Sequence, residues 1–204
     1  MGGKTKMIKV IIFDTDGMVV NSEMFSVQYN KDYGIPMDSL LPFFKNEFQP
    51  CLIGTADLKE EIKDYLPKWG WKDSVDSFLK YWFDAENHVD KRVVEAINKL
   101  RNAGFKCYLA TNQEKYRTEY LRNEMGFGEI FDKVFSSAEV GYKKPQQEFF
   151  EFVLNDIKLN KDEVQFWDDT DKNVEGAREF GFDANLYRDF DKFALKLKEL
   201  DIEI

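Results

Sequence analysis

Short apolar stretches alternate with helical patterns along much of the chain. The first stretch, residues 8–13, is rich in β-branched residues and almost wholly apolar, as buried parallel strands tend to be. Similar stretches that end in polar residues predict four further strands at 105–110, 133–135, 164–167 and 184–187. Between these strands, apolar residues recur at helical spacing and a glycine often follows, as at helix C-terminal caps. Strands and helices alternating in this way predict an α/β fold with a mostly parallel sheet.

The segment 18–88 interrupts this alternation, because it contains no convincing buried strand. Within it, apolar residues between positions 75 and 83 recur at the i, i+3, i+4, i+7 spacing of an amphipathic helix. We therefore predict an all-helical cap domain at residues 18–88. The α/β core domain would then consist of residues 1–17 and 89–204.

Composition and charge limit the classes of partner. The 204 residues include 29 Lys and Arg against 38 Asp and Glu, a net charge of −9, so nucleic acids and anionic membranes are not expected partners. No apolar run is long enough to span a bilayer, and the stretch at 8–13 is too short for a signal peptide. Cys51 and Cys107 match no zinc spacing, and free thiols are typical of a reducing compartment, so a cytoplasmic protein is expected.

Polar residues follow the ends of the predicted strands, where open α/β sheets bind their ligands. These residues are Asp14, Asp16, Thr111, Asn112, Asp168 and Asp169, joined by Lys143 and Lys144 after the third strand. Clustered carboxylates repel one another unless a cation lies among them, and oxygen donors without His or Cys suit Mg²⁺. An aspartate here can attack a phosphoryl group and form an aspartyl-phosphate, while a second acid protonates the leaving oxygen.

Four motifs follow the predicted strands in turn: Asp14-Thr-Asp16-Gly17, Leu109-Ala-Thr111-Asn112, Gly141-Tyr-Lys143-Lys144-Pro145 and Asp168-Asp169 followed by Asn173-Val174. In sequence and in order they resemble those of the haloacid dehalogenase-like (HAD) hydrolases, in the phosphatase branch with a helical cap after the first strand. The chain departs from the family pattern at Met18, where Thr is usual, and at the bulky Trp167. The resemblance implies a Rossmann-like three-layer core with a mostly parallel sheet, plus an inserted all-helical cap domain.

The same resemblance implies a catalytic role for residues after the first three strands. Asp14 would be the nucleophile and a Mg²⁺ ligand, and Asp16 the general acid/base that binds the metal through its backbone carbonyl. Thr111 and the backbone N–H of Asn112 would bind the phosphoryl group. Lys144, which directly precedes the proline, would offset the negative charge of the nucleophile and the substrate.

Roles for the acidic loop after the fourth strand follow in the same way. Asp169 is expected to bind the metal directly, because it aligns with the acid of the family's Gly-Asp variant. Asp168 would be a second ligand or lie outside the coordination shell, and Asn173 would act through water or hold the loop. Asp171 is assigned to the helix N-terminus, where an acid is favoured by the helix dipole.

The resemblance implies a Mg²⁺-dependent phosphatase acting on a small phosphorylated metabolite, such as a sugar phosphate, beneath a helical lid. A β-phosphoglucomutase-like isomerase shares the same motifs and cap position and stays an alternative. A non-catalytic phosphate-binding protein is the alternative from another class. Phe25 and Tyr29 are assigned to the core of the cap, with the alternative that one faces the substrate. The sequence does not indicate the oligomeric state.

Overall fold

A single β-sheet positions the polar residues that follow the strands. The structure is a computed structural model that describes residues 8–200. Its strands are Val10–Phe13 (β1), Lys106–Thr111 (β2), Lys133–Ser136 (β3), Val164–Asp168 (β4) and Asp183–Leu186 (β5). They form one sheet in the order β3-β2-β1-β4-β5, and each pairing in it is parallel. The five strands expected from the sequence are confirmed, and their bounds agree within two residues.

The helices fall into two groups along the chain. Those between β1 and β2 are Phe25–Tyr33 (α1), Met37–Lys45 (α2), Phe48–Cys51 (α3), Leu58–Ile62 (α4), Val75–Ala85 (α5) and Lys91–Asn102 (α6). Those after β2 are Lys115–Asn123 (α7), Phe127–Ile130 (α8), Ser137–Val140 (α9), Gln147–Ile157 (α10), Asp171–Phe180 (α11) and Phe190–Leu197 (α12). Within residues 8–200, no helix has the length and apolar character needed to cross a bilayer.

Helices cover both faces of the sheet, and the side chains of β1 alternate between the two faces. Ile11 and Phe13 belong to the apolar cluster that includes buried residues of α6, α7 and α12. Val10 and Ile12 belong to the cluster on the other face, with residues of α10 and α11. Burial on both faces explains why β1 is an uninterrupted apolar run. The result is the three-layer α/β core that the family resemblance implies.

The two departures from the family pattern are accommodated within the core. Met18 is 1% exposed and belongs to the same cluster as Phe13. The Trp167 ring packs edge-on against Phe193, with ring centroids 5.0 Å apart. Its indole N–H donates to the Gln165 side-chain oxygen at 2.9 Å, so this polar group is satisfied inside the core.

Helices α1 to α5 form a layer of their own between β1 and α6. Their buried residues make a separate, strongly aromatic cluster that includes Tyr29, Phe43, Phe78 and Trp82. In the described part of 18–88, extended pairing is limited to single-residue bridges at Val20. A separate apolar core supports our proposal that this segment is a cap domain.

The two chain connections to the cap lie side by side. The backbone N–H of Asn21 donates to the His88 carbonyl at 2.9 Å, and the N–H of Asp90 donates to the Val19 carbonyl at 2.9 Å. Val20 also bridges to Asp16 on the core side. The cap is therefore attached through two adjacent, hydrogen-bonded connecting segments, which lie next to the Asp14-Thr-Asp16-Gly17 motif.

Candidate active site

The predicted site residues meet at the carboxyl ends of the three central strands. Phe13 is in register with Leu109 of β2 and Trp167 of β4, so Asp14, Thr111 and Asp168 follow at neighbouring positions. All three side chains are buried. Residues more than 150 positions apart are thus brought together by the parallel register alone, as expected for an open α/β sheet.

Lys144 lies at the centre of this arrangement. Its Nζ is 2.6 Å from Asp14 Oδ1 and 2.7 Å from Asp168 Oδ2, and its side chain is 1% exposed. Asn112 holds the backbone of Lys144: its Oδ1 accepts the lysine N–H at 2.8 Å, and its Nδ2 donates to the lysine carbonyl at 2.9 Å. The sequence assigned Asn112 a backbone role only. The Asn112 side chain is a positioning group: it holds in place residues 141–145, which carry Lys144 and form the lysine loop.

The neighbouring Lys143 takes no part in this arrangement. Its Nζ contacts Gln49 Oε1 at 2.7 Å, in the cap. The Lys144–Pro145 peptide is cis, and α11 packs closely against it. A Cβ at Gly176 would lie 2.7 Å from Pro145 Cβ, so only glycine permits this approach of the helix to the lysine loop.

The two aspartates at the end of β4 have different environments. Asp168 is fully buried and both its carboxylate oxygens are engaged, by Lys144 Nζ at 2.7 Å, by the Thr170 N–H at 2.9 Å and by Asn173 Nδ2 at 3.0 Å. Asp169 is half-buried and accepts from the Thr170 hydroxyl at 3.2 Å. Protein donors thus already fill Asp168, whereas Asp169 keeps an oxygen available for a ligand.

Three carboxylates and one lysine leave an excess of negative charge. Oxygen atoms of Asp14, Asp168 and Asp169 all lie within 4.8 Å of one another. Burial raises the pKa of Asp14 to about 7, with Lys144 opposing the rise and Asp168 adding to it. Desolvation and the charge of Asp168 also raise the pKa of Asp169. A divalent cation relieves this repulsion, and a set of oxygen donors without nitrogen or sulfur fits Mg²⁺.

Gly17 permits the close contact between the two acidic loops. Its φ is +77°, and a Cβ at this position would lie 2.0 Å from Asp169 Oδ2. Any other residue would be strained in the left-handed region and would push Asp169 aside. The Asp-Thr-Asp-Gly motif therefore needs its glycine for the geometry of the acidic cluster.

Asp16 lies at the boundary between core and cap. It accepts a hydrogen bond from the Gln113 side-chain amide, a partner that the sequence did not reveal. Desolvation raises the pKa of Asp16 although its side chain still reaches solvent, while the charge of Arg117 acts to lower it. Asp16 lines a cavity of about 380 Å³ that the cap closes from the other side. Phe25 lines this cavity, whereas Tyr29 is buried in the cap core.

Two buried charged residues at the start of α7, the N-cap residue Glu114 and Arg117, were not singled out by the sequence. The Arg117 guanidinium donates to the Phe83 carbonyl of α5 at 2.9 Å and lies over the Phe83 ring, so it ties the core to the cap. Glu114 caps α7 by accepting the backbone N–H of Tyr116 at 2.8 Å and that of Arg117. In sequence, both resemble ordinary residues of an exposed helix.

Glu114 is expected to make stability depend on pH. Burial raises its pKa to about 7, because the capping N–H groups only partly offset the loss of hydration. The folded chain then keeps a proton that the unfolded chain releases above about pH 4.3, so stability falls as the pH rises from about 4.5 to 7. Replacing Glu114 with Gln should remove about 2 kcal/mol of this fall in the free energy of unfolding.

Urea denaturation near pH 5 and near pH 7.5 measures this effect. The Glu124→Gln variant is the control, because Glu124 is an exposed carboxylate at the opposite end of α7. The control should keep the pH dependence of the wild type. An identical fall in all three proteins would show that Glu114 does not titrate in this range.

The acidic cluster is expected to bind Mg²⁺ through Asp169, and binding to the native state raises the melting temperature. In Asp169→Asn the Mg²⁺-dependent rise should shrink to less than half that of the wild type, because one anionic donor is lost. The control is Asp171→Asn, which lies two residues away but is exposed and paired with Arg188 at 3.0 Å. Equal rises in all three proteins, measured against a chelator baseline, would contradict this assignment.

Comparison with known proteins places these motifs in a family. The profile of the haloacid dehalogenase-like hydrolases matches residues 11–186, which include every predicted site residue. The chain is 26% identical over 188 residues to a D-ribitol-5-phosphate phosphatase from Bacteroides thetaiotaomicron, covering 87% of this chain and 91% of that protein. It is 31% identical over 110 residues to drimenol cyclase DrtB from Aspergillus calidoustus, but that match spans only 21% of the longer protein.

Solved structures share the fold. A HAD-family enzyme from Bacteroides thetaiotaomicron, crystallised with magnesium and inorganic phosphate, superimposes with a TM-score of 0.78 at 19% sequence identity. The superposition covers 91% of this chain and 98% of that enzyme. The likeness therefore includes the helices between β1 and α6 as well as the sheet.

Proposed function

The chain belongs to the haloacid dehalogenase-like hydrolase family, and we propose that it is a Mg²⁺-dependent phosphatase that hydrolyses small phosphomonoesters through an aspartyl-phosphate at Asp14. One observation carries this proposal: the buried Lys144 ammonium joins Asp14 to Asp168 while a second acid, Asp16, lies two residues further along the chain. That combination supplies a nucleophile, a charge partner and a proton donor at one strand edge. The named phosphatase relative, which acts on a polyol phosphate, supports the same class of reaction.

The reaction proceeds in two displacements at phosphorus. In the first, an oxygen of Asp14 forms a bond to phosphorus, the ester P–O bond breaks, and Asp16 gives its proton to the departing alcohol. In the second, Asp16 removes a proton from water, whose oxygen attacks phosphorus and releases inorganic phosphate and free Asp14. Asp16 is returned to its protonated form, so the cycle closes without another reagent.

Other residues hold the phosphoryl group and the charges around it. Lys144 lies against Asp14 and is fixed from behind by Asn112 and Asp168, so its ammonium needs little rearrangement to reach a phosphoryl oxygen. Thr111 and the Asn112 backbone N–H complete the set of donors that we assign to the phosphoryl oxygens. Such preorganised donors account for much of phosphoryl-transfer catalysis.

The metal ligands follow from the environments of the acids. We assign Mg²⁺ to Asp14, Asp169 and the backbone carbonyl of Asp16, and we place Asp168 outside the coordination shell because it is already engaged with Lys144, Thr170 and Asn173. When bound, the ion neutralises charge on the phosphoryl oxygens. The cap closes over this edge and limits access of bulk water to the aspartyl-phosphate.

The adjacent residues Lys143 and Lys144 allow a direct test of the site, because only Lys144 contacts Asp14. Lys144→Ala should lower Mg²⁺-dependent turnover of p-nitrophenyl phosphate by about 10²–10³-fold, because the charge on the phosphoryl group loses its partner. Lys143→Ala should retain turnover within about threefold, since its ammonium points to Gln49 in the cap. Circular dichroism confirms that both variants are folded. Equal losses in both variants, or wild-type turnover without Mg²⁺, would contradict the proposal.

A further inference from the structure

The cavity beside Asp16 has an unusually apolar wall for a site expected to take sugar phosphates. Nine of the fourteen residues that line its 380 Å³ are apolar, including Phe25 and Trp82. Its volume lies at the lower end of the roughly 300–1,000 Å³ range of small-molecule sites. A cavity of this size and chemistry is suited to a compact hydrophobic group.

The apolar wall is built mainly by residues of α2 and α3. Leu40 and Phe43 are buried in the cap core, at 1% and 0% exposure. Leu40 also borders the cavity, and Leu41, Phe44 and Phe48, at i, i+3 and i+7, are only half-buried and line it as well. These side chains thus present a second apolar face, directed at the cavity.

Most polar residues of the wall are already bonded to other protein groups. Gln113 donates to the Asp16 carboxylate, and the Asn112 amide is bonded to the backbone of the lysine loop. Glu86 accepts a backbone N–H at the start of α1 at 2.9 Å. These bonds occupy the Asn112 amide, the Gln113 amide N–H and one Glu86 oxygen, and so reduce the hydrogen-bonding capacity left for the organic part of a substrate.

Few free polar groups remain on the cavity wall. The Ser26 hydroxyl is buried and has no hydrogen-bond partner among the described residues. A sugar or polyol carries a hydroxyl on almost every carbon, so most of its hydroxyls would lose water here without a replacement partner. Burying such unpaired groups disfavours binding strongly.

The position of Asp16 identifies which part of a substrate enters the cavity. Asp16 protonates the leaving oxygen in the proposed reaction, and its side chain lies in the cavity wall at the core end. The leaving alcohol must therefore extend from Asp16 toward the half-buried face of α2 and α3. Its carbon skeleton would contact Leu41, Phe44 and Phe48.

We propose that the preferred substrates are phosphomonoesters of apolar alcohols, with an aliphatic chain in the cavity, rather than sugar or polyol phosphates. This inference rests on the proposed phosphatase function and specifies its substrate class. Each methylene moved from water into the cavity favours binding about fourfold. This gain in affinity should continue with each added methylene of the substrate's alkyl group until the cavity is filled.

The test compares ethyl, butyl, hexyl and octyl phosphate with ribitol 5-phosphate and glucose 6-phosphate, all esters of unactivated alcohols. We expect kcat/KM to rise about fourfold per methylene until the cavity is filled, which gives about 4,000-fold if all six methylenes that separate octyl from ethyl phosphate fit. Octyl phosphate should also exceed both polyol esters at least about tenfold. A flat alkyl series, or a polyol ester preferred over octyl phosphate, overturns the inference.

Turnover of p-nitrophenyl phosphate separates this inference from the function on which it rests. If that ester is hydrolysed but a polyol phosphate is preferred, the phosphatase stands and only the substrate class fails. If no ester is hydrolysed, both proposals fail.

Variants of the wall locate the effect. Leu41→Asn and Phe48→Asn should each lower the ratio of octyl to ethyl phosphate kcat/KM about tenfold, because an amide replaces apolar contact with the chain. The control is Leu195→Asn on α12, a residue 64% exposed and outside the cavity lining. The ratio is measured within each preparation, so partial unfolding cancels. An unchanged ratio in both wall variants overturns the proposal.

Discussion

Replacing Asp14 with asparagine is expected to lower kcat for phosphomonoester hydrolysis by about 10⁴-fold or more, as loss of a catalytic nucleophile does elsewhere. The amide keeps the size of the side chain and an oxygen for the Lys144 ammonium, which lies 2.6 Å from Asp14 Oδ1. It cannot supply the anionic oxygen that attacks phosphorus. Lys144 also keeps its second partner, Asp168, so the fold should persist.

Steady-state release of p-nitrophenol and of phosphate measures this loss, on protein purified from a background without other phosphatases. Asp171→Asn provides the matched control, because it makes the same chemical change on an exposed residue of the acidic loop. Thermal unfolding should be similar in the wild type and both variants. Residual turnover of a few per cent in Asp14→Asn would contradict covalent catalysis at this residue.

Replacing Asp16 with asparagine is expected to slow hydrolysis of alkyl phosphates by about 10²–10⁴-fold. The reason is that an amide neither protonates the leaving alcohol nor removes a proton from water. The Gln113 amide can still donate to the oxygen of the new side chain, so the local structure should be retained.

The dependence on the leaving group distinguishes a proton donor from a structural residue. p-Nitrophenolate departs without protonation, so formation of the aspartyl-phosphate from its ester should survive in Asp16→Asn. A rapid burst of p-nitrophenol followed by slow turnover is the expected result. Gln113→Ala is the informative comparison, because it removes the partner of Asp16 but leaves the acid in place. Absence of the burst, with release of p-nitrophenol slowed as much as hydrolysis of the alkyl esters, would contradict the acid/base role.

The strands of the core can be predicted from the sequence, because the patterns that mark them lie within a few consecutive residues. Buried parallel strands are short apolar runs, and each run here ends in polar residues, so both β1 and its following Asp14 are evident. Parallel strands also expose their carboxyl ends at the same edge. Residues as distant as Asp14 and Asp168 could therefore be placed together without any knowledge of the structure.

The side-chain contacts that organise the site could not be predicted from the sequence, because they depend on the direction in which each side chain points. Asn112 was assigned a backbone role, whereas its amide makes two hydrogen bonds to Lys144. Motif comparison favoured Asp169 over Asp168 as the metal ligand, and the engaged oxygens of Asp168 now give a physical reason for that choice. Asp168 differs from Asp169 because Lys144 and Asn173 donate hydrogen bonds to it. The spacing of residues in the sequence does not show which way these two side chains point.

The cap shows the same limit for apolar residues. In α2, Leu40 and Leu41 are adjacent and chemically identical, and both border the cavity, yet Leu40 is buried in the cap core whereas Leu41 is only half-buried. A periodic pattern predicts that both are covered, but not whether protein or substrate covers them. The expectation of a sugar phosphate came from family resemblance and lid size, since the chemistry of the wall becomes visible only when the helices are packed.

The most direct test of the central claim is to locate the phosphoryl group on the protein. Asp16→Asn is mixed with p-nitrophenyl phosphate and Mg²⁺, quenched in acid at the end of the burst, digested and analysed by mass spectrometry. Our account predicts about one phosphoryl group per chain, on the peptide that carries Asp14 and at that residue. A full burst of p-nitrophenol with Asp14 unmodified would show that water or another residue attacks phosphorus, and would contradict the account.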